Sequence, residues 1–151
     1  MEVMSMLQHP NIVTYYGIEV HREKVYLFME NCTRGSLAQF VRDQGRLDEE
    51  TAKVFTVQML RGLEYLHASG ICHRDIKCDN TLLDDSMNIK LVDFGAAKVL
   101  DRQSLAGTRR TRVGKDNGVS LTGTPMYMAP EVILGGSMAN SANSAAPGVA
   151  T

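Results

Sequence analysis

Hydrophobic and polar positions alternate with different periods along the chain, and each period predicts a different element. Two runs rich in β-branched and aromatic residues, at 12–20 and 24–30, are separated by a short polar link. Such runs predict an antiparallel hairpin. Residues 1–8 carry apolar side chains roughly on one side of a helix, and Pro10 disfavours a helical conformation at His9. We therefore expect a helix end, a break and then a hairpin.

Two helices are predicted after the hairpin. The first covers Ser36 to Asp43. The longer one runs from about Glu49 to Ala68, with Asp48 as its N-cap, because a carboxylate accepts hydrogen bonds from the unpaired N–H groups of a first turn. Its apolar residues recur at a spacing of three, and we expect them to form the face in the core. They are Val54, Val57, Leu60, Leu63 and Leu66.

The rest of the chain contains a second hairpin and two irregular stretches. Short strands are predicted at 81–85 and 88–92, with a tight turn near Ser86 and Met87 between them. Residues 101–120 carry five basic against two acidic residues and few apolar ones, which predicts a mobile surface loop. Residues 135–151 are small and uncharged, so we expect a disordered tail.

Composition narrows the class of protein. The 151 residues have a net charge of −1 and are 44% hydrophobic, which is the balance of a globular domain. A nearly neutral chain, whose basic loop has no interleaved aromatic residue, predicts no nucleic-acid binding. The sequence has no apolar run of membrane-spanning length and no signal-peptide pattern, so we expect no membrane span. The three cysteines fit no zinc motif and indicate reduced thiols in the cytoplasm.

The densest group of polar residues is "HRDIKCDN", which ends at Asn80, and "DFG" begins thirteen residues later at Asp93. This set suits phosphoryl transfer, in which the protein mainly positions groups and neutralises charge. Asp75 is the candidate that faces an attacking hydroxyl, and Lys77 can reach the transferred phosphate. Asn80 and Asp93 supply oxygen ligands, which Mg²⁺ takes together with phosphate oxygens.

These motifs resemble those of protein kinases, whose catalytic loop, DFG and APE sequences recur here in the same order. The APE match ends at Glu131, and Lys77 with Thr124 resembles the serine/threonine-specific members. The stretches "LQHPNIVTYYGIEVHREKVYLFMENC" and "GTPMYMAPE" are similar to MAP kinase kinase kinases of the MEKK type, especially those of fungal stress pathways. The resemblance covers residues 1–134 and implies a partial α+β kinase domain: the end of the N-lobe, the hinge and the first half of a mainly helical C-lobe.

The resemblance also implies ligands and partners. It implies ATP and Mg²⁺ as cofactors, a MAP kinase kinase as substrate, an upstream activator or scaffold, and a cytoplasmic location. Met29 falls at the gatekeeper position, Glu30 to Cys32 at the hinge whose backbone binds adenine, and Leu82 at the floor of the adenine site. Four side chains would stack as the regulatory spine: Met4, Tyr15, His73 and Phe94.

Regulation is expected in the 39 residues from Asp93 to Glu131, which match an activation segment. Ser120 and Thr122 are the expected phosphorylation sites, and Arg74 is the expected partner of the phosphate. The alternative for Arg74 is an ordinary surface charge. Glu131 would pair with an arginine further along the family's domain. We expect His73 to pack against Phe94 rather than to act as a base, and the thiol of Cys78 to be incidental.

The 151 residues lack several features that the resemblance would lead one to expect. They include no G-x-G-x-x-G loop, no VAIK-like lysine and no tryptophan, and Glu2 lies two residues too late for the helix glutamate. We therefore expect this stretch by itself to transfer little phosphate. The alternative to an enzyme is a truncated, inactive fragment that binds partners at most.

Overall fold

The structure is a computed structural model that describes residues 6–99 and 122–134. Its first two strands form a hairpin. Strands β1 (Tyr15–His21) and β2 (Lys24–Met29) pair antiparallel, as predicted. The two turn residues, Arg22 and Glu23, both have positive φ, of 46° and 65°. This is the backbone of tight two-residue turns that match the twist of the strands. Within the hairpin only Tyr15 is buried, so it contributes little to the core.

Two helices follow; the first is shifted by one residue from the predicted 36–43, and the second begins at its predicted cap. Helix α1 spans Leu37–Gln44, and its N-cap Ser36 accepts a hydrogen bond from the Gln39 N–H at 3.2 Å. Helix α2 spans Glu49–Ala68, and the Asp48 carboxylate accepts one from the Thr51 N–H at 2.8 Å. These bonds satisfy N–H groups that have no partner inside the helix. Neither helix is long and apolar enough to cross a bilayer, and the same holds for every other described helical turn.

Four short strands form two further antiparallel pairs. Strand β3 (Ile71–Cys72) pairs with β6 (Lys98–Val99), which comes last among the described strands. Strand β4 (Thr81–Leu83) pairs with β5 (Ile89–Leu91). These last two are shorter than predicted, because the Asp84 side chain ends β4 by accepting hydrogen bonds from the Ser86 and Asn88 N–H groups at 2.9 and 2.8 Å. The turn runs from Asp84 to Met87, close to the predicted Ser86 and Met87, and Met87 has a φ of 64°.

The predicted core face of α2 is wrong for three of its five residues. Val54, Val57 and Leu60 are 45%, 41% and 58% exposed, whereas the buried residues of the helix are Phe55, Gly62 and Leu66. A helix turns by about 100° per residue, so each step of three falls about 60° short of a full turn. Five residues at that spacing therefore wind around the helix instead of sharing one side. Steps of seven and four, as in the buried set, stay on one side.

A buried asparagine joins the start of the described chain to α2 and β5. The Asn11 side-chain amide donates to the Ile89 carbonyl at 3.1 Å and to Gln58 Oε1 at 3.3 Å. Gly62 of α2 lies against this segment, since a Cβ there would come within 3.0 Å of the Asn11 carbonyl oxygen. A backbone bridge then aligns Ile12 with Leu91 of β5. The segment before β1 is thus packed on the buried hairpin.

The fold class predicted from the sequence is confirmed, because the described chain is an α+β arrangement that combines antiparallel strand pairs with α-helices. The predicted helix over residues 1–8 is not formed at 6–8, and residues 1–5 lie outside the described chain. The predicted loop at 101–120 and the predicted tail at 135–151 also lie outside it.

Candidate active site

His73 begins the loop between β3 and β4 and is fully enclosed, with 1% of its surface exposed. Its Nε2 lies 3.1 Å from the Val92 carbonyl oxygen, and its Nδ1 accepts a hydrogen bond from the Asp75 N–H at 3.3 Å. A neutral ring with its proton on Nε2 satisfies both contacts, and burial lowers the pKa of His73. Both nitrogens are therefore engaged in shaping the loop, and the ring packs 5.0 Å from Phe94, as expected.

The Asp75 carboxylate is the centre of the hydrogen-bond network. Its Oδ1 accepts a hydrogen bond from the Thr124 hydroxyl at 2.7 Å. Its Oδ2 accepts one from the Asn80 amide at 2.8 Å and lies 3.0 Å from Lys77 Nζ. The Thr124 hydroxyl, followed by Lys77 and Asn80, lowers the pKa of Asp75 against the opposing effect of burial. The group is therefore an ionised acceptor, and each oxygen can accept more than one hydrogen bond.

Thr124 ties the second described range to this loop. Its hydroxyl donates to Asp75 and accepts from Lys77 Nζ at 2.7 Å, so it bridges the two charged groups. The preceding residue, Gly123, has a φ of 121°, and a Cβ there would lie 2.6 Å from the Arg74 carbonyl oxygen. Only glycine allows the two backbones to approach this closely. The approach places Thr124 within reach of the carboxylate.

Asn80 belongs to the network, and a backbone hydrogen bond ties it to the residue before Asp93. The Asn80 amide nitrogen donates to the Asp75 carbonyl oxygen at 3.0 Å as well as to its carboxylate. Both amide hydrogens are thus used, which leaves the side-chain oxygen as the group that a cation could bind. The Val92 N–H donates to the Asn80 carbonyl at 3.1 Å, and Asp93 is the next residue along the chain.

Asp93 itself adopts a left-handed backbone conformation, with φ of 65° and ψ of 75°. One carboxylate oxygen accepts a hydrogen bond from the Gly95 N–H at 3.2 Å, which stabilises this turn. The remaining oxygen and the Asn80 amide oxygen are hard ligands of the type that Mg²⁺ takes alongside phosphate and water. The donor set therefore fits a magnesium ion held jointly by protein and nucleotide.

The residues expected around adenine lie where β2 ends and along β4. Met29 is the last residue of β2 and is 37% exposed. Leu82 is half-buried in β4. Cys32 packs against the core, and burial raises the pKa of its thiol. Among the described residues none accepts a hydrogen bond from the Cys32 N–H.

Three of the four residues expected to stack are in contact. The Phe94 ring lies 6.0 Å from Tyr15, edge to face, and 5.0 Å from His73. Such arrangements are favourable for aromatic rings. Met4 lies outside the described residues. The stack connects β1 to the catalytic loop through the residue that follows Asp93.

The expected regulatory residues differ in how far the structure describes them. Arg74 is exposed, has a φ of 66°, and donates from Nε to the Ala96 carbonyl at 2.6 Å. Thr122 is half-buried next to Gly123. Glu131 is exposed and forms no ion pair with any residue in the described ranges. Ser120 lies outside those ranges.

Sequence reasoning missed Lys90. This residue stands at the centre of β5 between two fully buried residues, and its Nζ lies 2.6 Å from Glu30 Oε1. The available signal was a charged residue inside a short apolar strand, because such a residue needs a partner when it is covered. Its partner could not be named from the sequence, since two helices and two strands separate Glu30 from β5.

Comparison with known families matches residues 1–148 to the family described as "Protein kinase domain". The chain belongs to the protein kinase family. It is 51% identical over 142 residues to serine/threonine-protein kinase SSK22 of Saccharomyces cerevisiae and 52% identical over 136 residues to MAP kinase kinase kinase wis4 of Schizosaccharomyces pombe. Each match covers 89% of this kinase chain. The predicted similarity to MAP kinase kinase kinases is confirmed.

The similarity extends to plants. Mitogen-activated protein kinase kinase kinase YODA of Arabidopsis thaliana is 39% identical over 140 residues, which cover 93% of this kinase chain. The chain spans 10% of the length of the two yeast relatives and 14% of the plant protein. The relatives are therefore much longer proteins, and the likeness concerns a small part of each.

Proposed function

We propose that this chain contains the catalytic centre of a serine/threonine kinase of the MAP kinase kinase kinase type. In this proposal, residues 1–134 are the kinase portion, and the centre transfers the γ-phosphate of ATP to a serine or threonine of a MAP kinase kinase. The pathway would be a stress-signalling cascade in the cytoplasm, under an upstream activator or scaffold. The observation that carries the proposal is the network in which Asp75 is bound by Lys77, Asn80 and Thr124.

Each member of the network has a role in this chemistry. Asp75 is ionised and orients the attacking hydroxyl of the substrate, while Lys77 neutralises charge on the transferred phosphate. Thr124 holds these two side chains at a fixed separation. Asn80 and Asp93 would hold Mg²⁺, which supplies charge neutralisation to the phosphates when it is bound.

The nucleotide would lie between the end of β2 and β4. The Cys32 N–H and other backbone groups of the hinge, which begins at Glu30, would bind the adenine edge. Met29 would line the back of the site, and Leu82 would pack against the face of the ring. The Cys32 N–H, which has no acceptor among the described residues, and the partial exposure of Met29 support this assignment.

The decisive experiment is a kinase assay of the intact protein on a MAP kinase kinase, with Asp75→Asn as the test and Asp79→Asn as the matched control. Asp79 is four residues away and exposed. Loss of the charged acceptor should reduce kcat by about 10²-fold or more, as for other groups that act on developing charge. The control should retain wild-type activity. Equal activity of Asp75→Asn and the wild type would refute the proposal.

Regulation by phosphorylation is part of the same proposal. A phosphate on Ser120 or Thr122 adds a charge of about −1.5 to −2, which the exposed guanidinium of Arg74 can pair. The double variant Ser120→Ala with Thr122→Ala should therefore lower activity, while Thr108→Ala with Thr111→Ala should change it less. The measurement is the rate of substrate phosphorylation by protein isolated after activation. Full activity of the first double variant would remove these two sites from the proposal.

A further inference from the structure

The hinge is attached to strand β5 by an ion pair. Lys90 Nζ lies 2.6 Å from Glu30 Oε1, and the two side chains are only 12% and 22% exposed. Water and salt screen such a pair less than one on the open surface. Burial alone would raise the pKa of Glu30, but the hydrogen bonds from Lys90 and Thr14 lower it, so the carboxylate stays charged.

Glu30 is also held on its other side by Thr14. The Thr14 N–H donates to Glu30 Oε2 at 3.1 Å, and the Glu30 N–H donates to the Thr14 carbonyl at 2.8 Å. The neighbouring Val13 N–H donates to the Leu91 carbonyl of β5 at 3.0 Å. These bonds run from β5 to the segment before β1 and on to the hinge, and Lys90 closes the ring. The hinge therefore cannot move away from β5 without breaking one of them.

The ring includes residues that border the proposed adenine site. Lys90 pairs directly with Leu82 across the β4–β5 hairpin, and directly paired residues lie on the same face of a sheet. Leu82 is the proposed floor of the site, and Glu30 begins the hinge that would bind the adenine edge. The distance between hinge and floor thus depends in part on the contact between Lys90 and Glu30. Backbone bonds from the segment after the hinge, at Arg34 and Gly35, to Leu83 of β4 set the rest of it.

We propose that Lys90 is a positioning residue that fixes the hinge relative to Leu82 and thereby sets the affinity for adenine nucleotides. The proposal rests on the proposed kinase function, and in it Lys90 acts through Glu30 without contacting the nucleotide. Removing the charge leaves Glu30 partly buried with only the Thr14 N–H as a partner and loosens the hinge. The transferring phosphate and the Asp75 network are not involved.

The test uses the intact protein with Lys90→Met, which keeps the bulk of the side chain, and Lys90→Arg, which keeps its charge. Lys24→Met, at the exposed start of β2, is the matched control. Lys90→Met should bind ADP about tenfold more weakly, since hydrogen bonds to charged groups are among the strong ones. Lys90→Arg should bind nearly as the wild type does. In activity assays KM for ATP should rise at unchanged kcat.

Amide hydrogen exchange of the hinge peptide supplies a readout that needs no nucleotide. Lys90→Met should accelerate exchange at Glu30, whose N–H is bonded to Thr14, while Lys24→Met should leave it unchanged. A lower melting temperature of Lys90→Met with unchanged ADP affinity and unchanged hinge exchange would overturn the inference, because the pair would then only stabilise the fold.

The outcome also separates this inference from the proposed function. If the wild type binds no ADP, the proposed kinase function fails, and with it the part of the inference that concerns affinity. Hinge exchange then decides the remaining part. Unchanged exchange in Lys90→Met refutes the role of Lys90 in holding the hinge, and faster exchange supports it.

Discussion

The hairpins β1–β2 and β4–β5 have the same antiparallel topology, but the first is largely exposed and the second is buried. In β1–β2 every residue of the second strand is exposed, including Val25, Leu27 and Phe28. In β4–β5 the residues Leu83, Ile89 and Leu91 are completely buried. The first hairpin is stabilised by its own strand pairing and by its turn. The second is covered by α1, α2 and the segment before β1.

The comparison shows where rigidity is needed for chemistry. The loop that contains Asp75 ends in β4, and Asp93 follows shortly after β5, so both groups are attached to the buried hairpin. The proposed hinge follows the exposed hairpin, but Lys90 and the segment before β1 connect it back to β5. A phosphoryl-transfer site depends mainly on position, and here its position is set by the packed part of the chain.

The largest expected difference comes from a matched pair of leucine truncations. Leu83→Ala in the buried hairpin should lower the free energy of unfolding by about 2–5 kcal/mol, because it leaves a cavity beside Ile89 and Phe55 in the same core cluster. Leu27 in β2 is 40% exposed, so Leu27→Ala should lower the free energy of unfolding by less than about 1 kcal/mol. Urea unfolding measures both. Equal costs would mean that the two hairpins are not packed differently.

Two glycine-to-alanine substitutions should affect stability differently, because only one of them should lower the free energy of unfolding. Gly62→Ala places a methyl group 3.0 Å from the Asn11 carbonyl oxygen and from Leu91 Cδ1. Overpacking of this kind should outweigh the better helix propensity of alanine and lower the free energy of unfolding by about 1–2 kcal/mol. Gly17→Ala enters open space in β1 and should leave stability unchanged or raise it by up to about 1 kcal/mol. Stabilisation by Gly62→Ala would contradict the close packing of α2.

The smallest expected effect is a pH dependence of the free energy of unfolding, which arises from the buried His73. Burial lowers the pKa of His73, so the unfolded chain binds a proton more readily than the folded chain does. The contribution to stability is therefore present above the unfolded pKa of about 6.5 and is lost as the pH falls towards the folded value. The slope is at most about 1.4 kcal/mol per pH unit for this proton.

The variant His73→Phe should reduce that slope when the free energy of unfolding is measured between pH 7.5 and 5.5, about one unit on either side of the unfolded value. The variant loses two hydrogen bonds, so the slope and not the absolute stability is the quantity to compare. His9 contributes in the same direction, because burial and the charges of Arg61 and Lys90 lower its pKa, and some slope should remain. An unchanged slope in His73→Phe would show that the ring is not protected from protonation in the fold.

The sequence by itself determined the elements whose causes are local. The bounds of α2 follow from the Asp48 cap and from a run of good helix formers, and the β4–β5 turn follows from the way Asp84 bonds to its neighbours. The candidate reacting groups could also be predicted from a short stretch of sequence, since Asp75, Lys77 and Asn80 lie within six residues of one another. Short-range hydrogen bonds and spacing are sufficient for such predictions.

Tertiary structure alone decided which side of α2 is buried and which distant groups meet. The spacing of apolar residues could not tell Phe55 from Val54, because each side of the helix carries apolar residues and only packing against β5 selects one. The bond from Thr124 to Asp75 and the pair of Lys90 with Glu30 join residues that are far apart in the chain. Contacts of this kind depend on how whole elements pack, and a pattern of neighbouring residues does not contain that information.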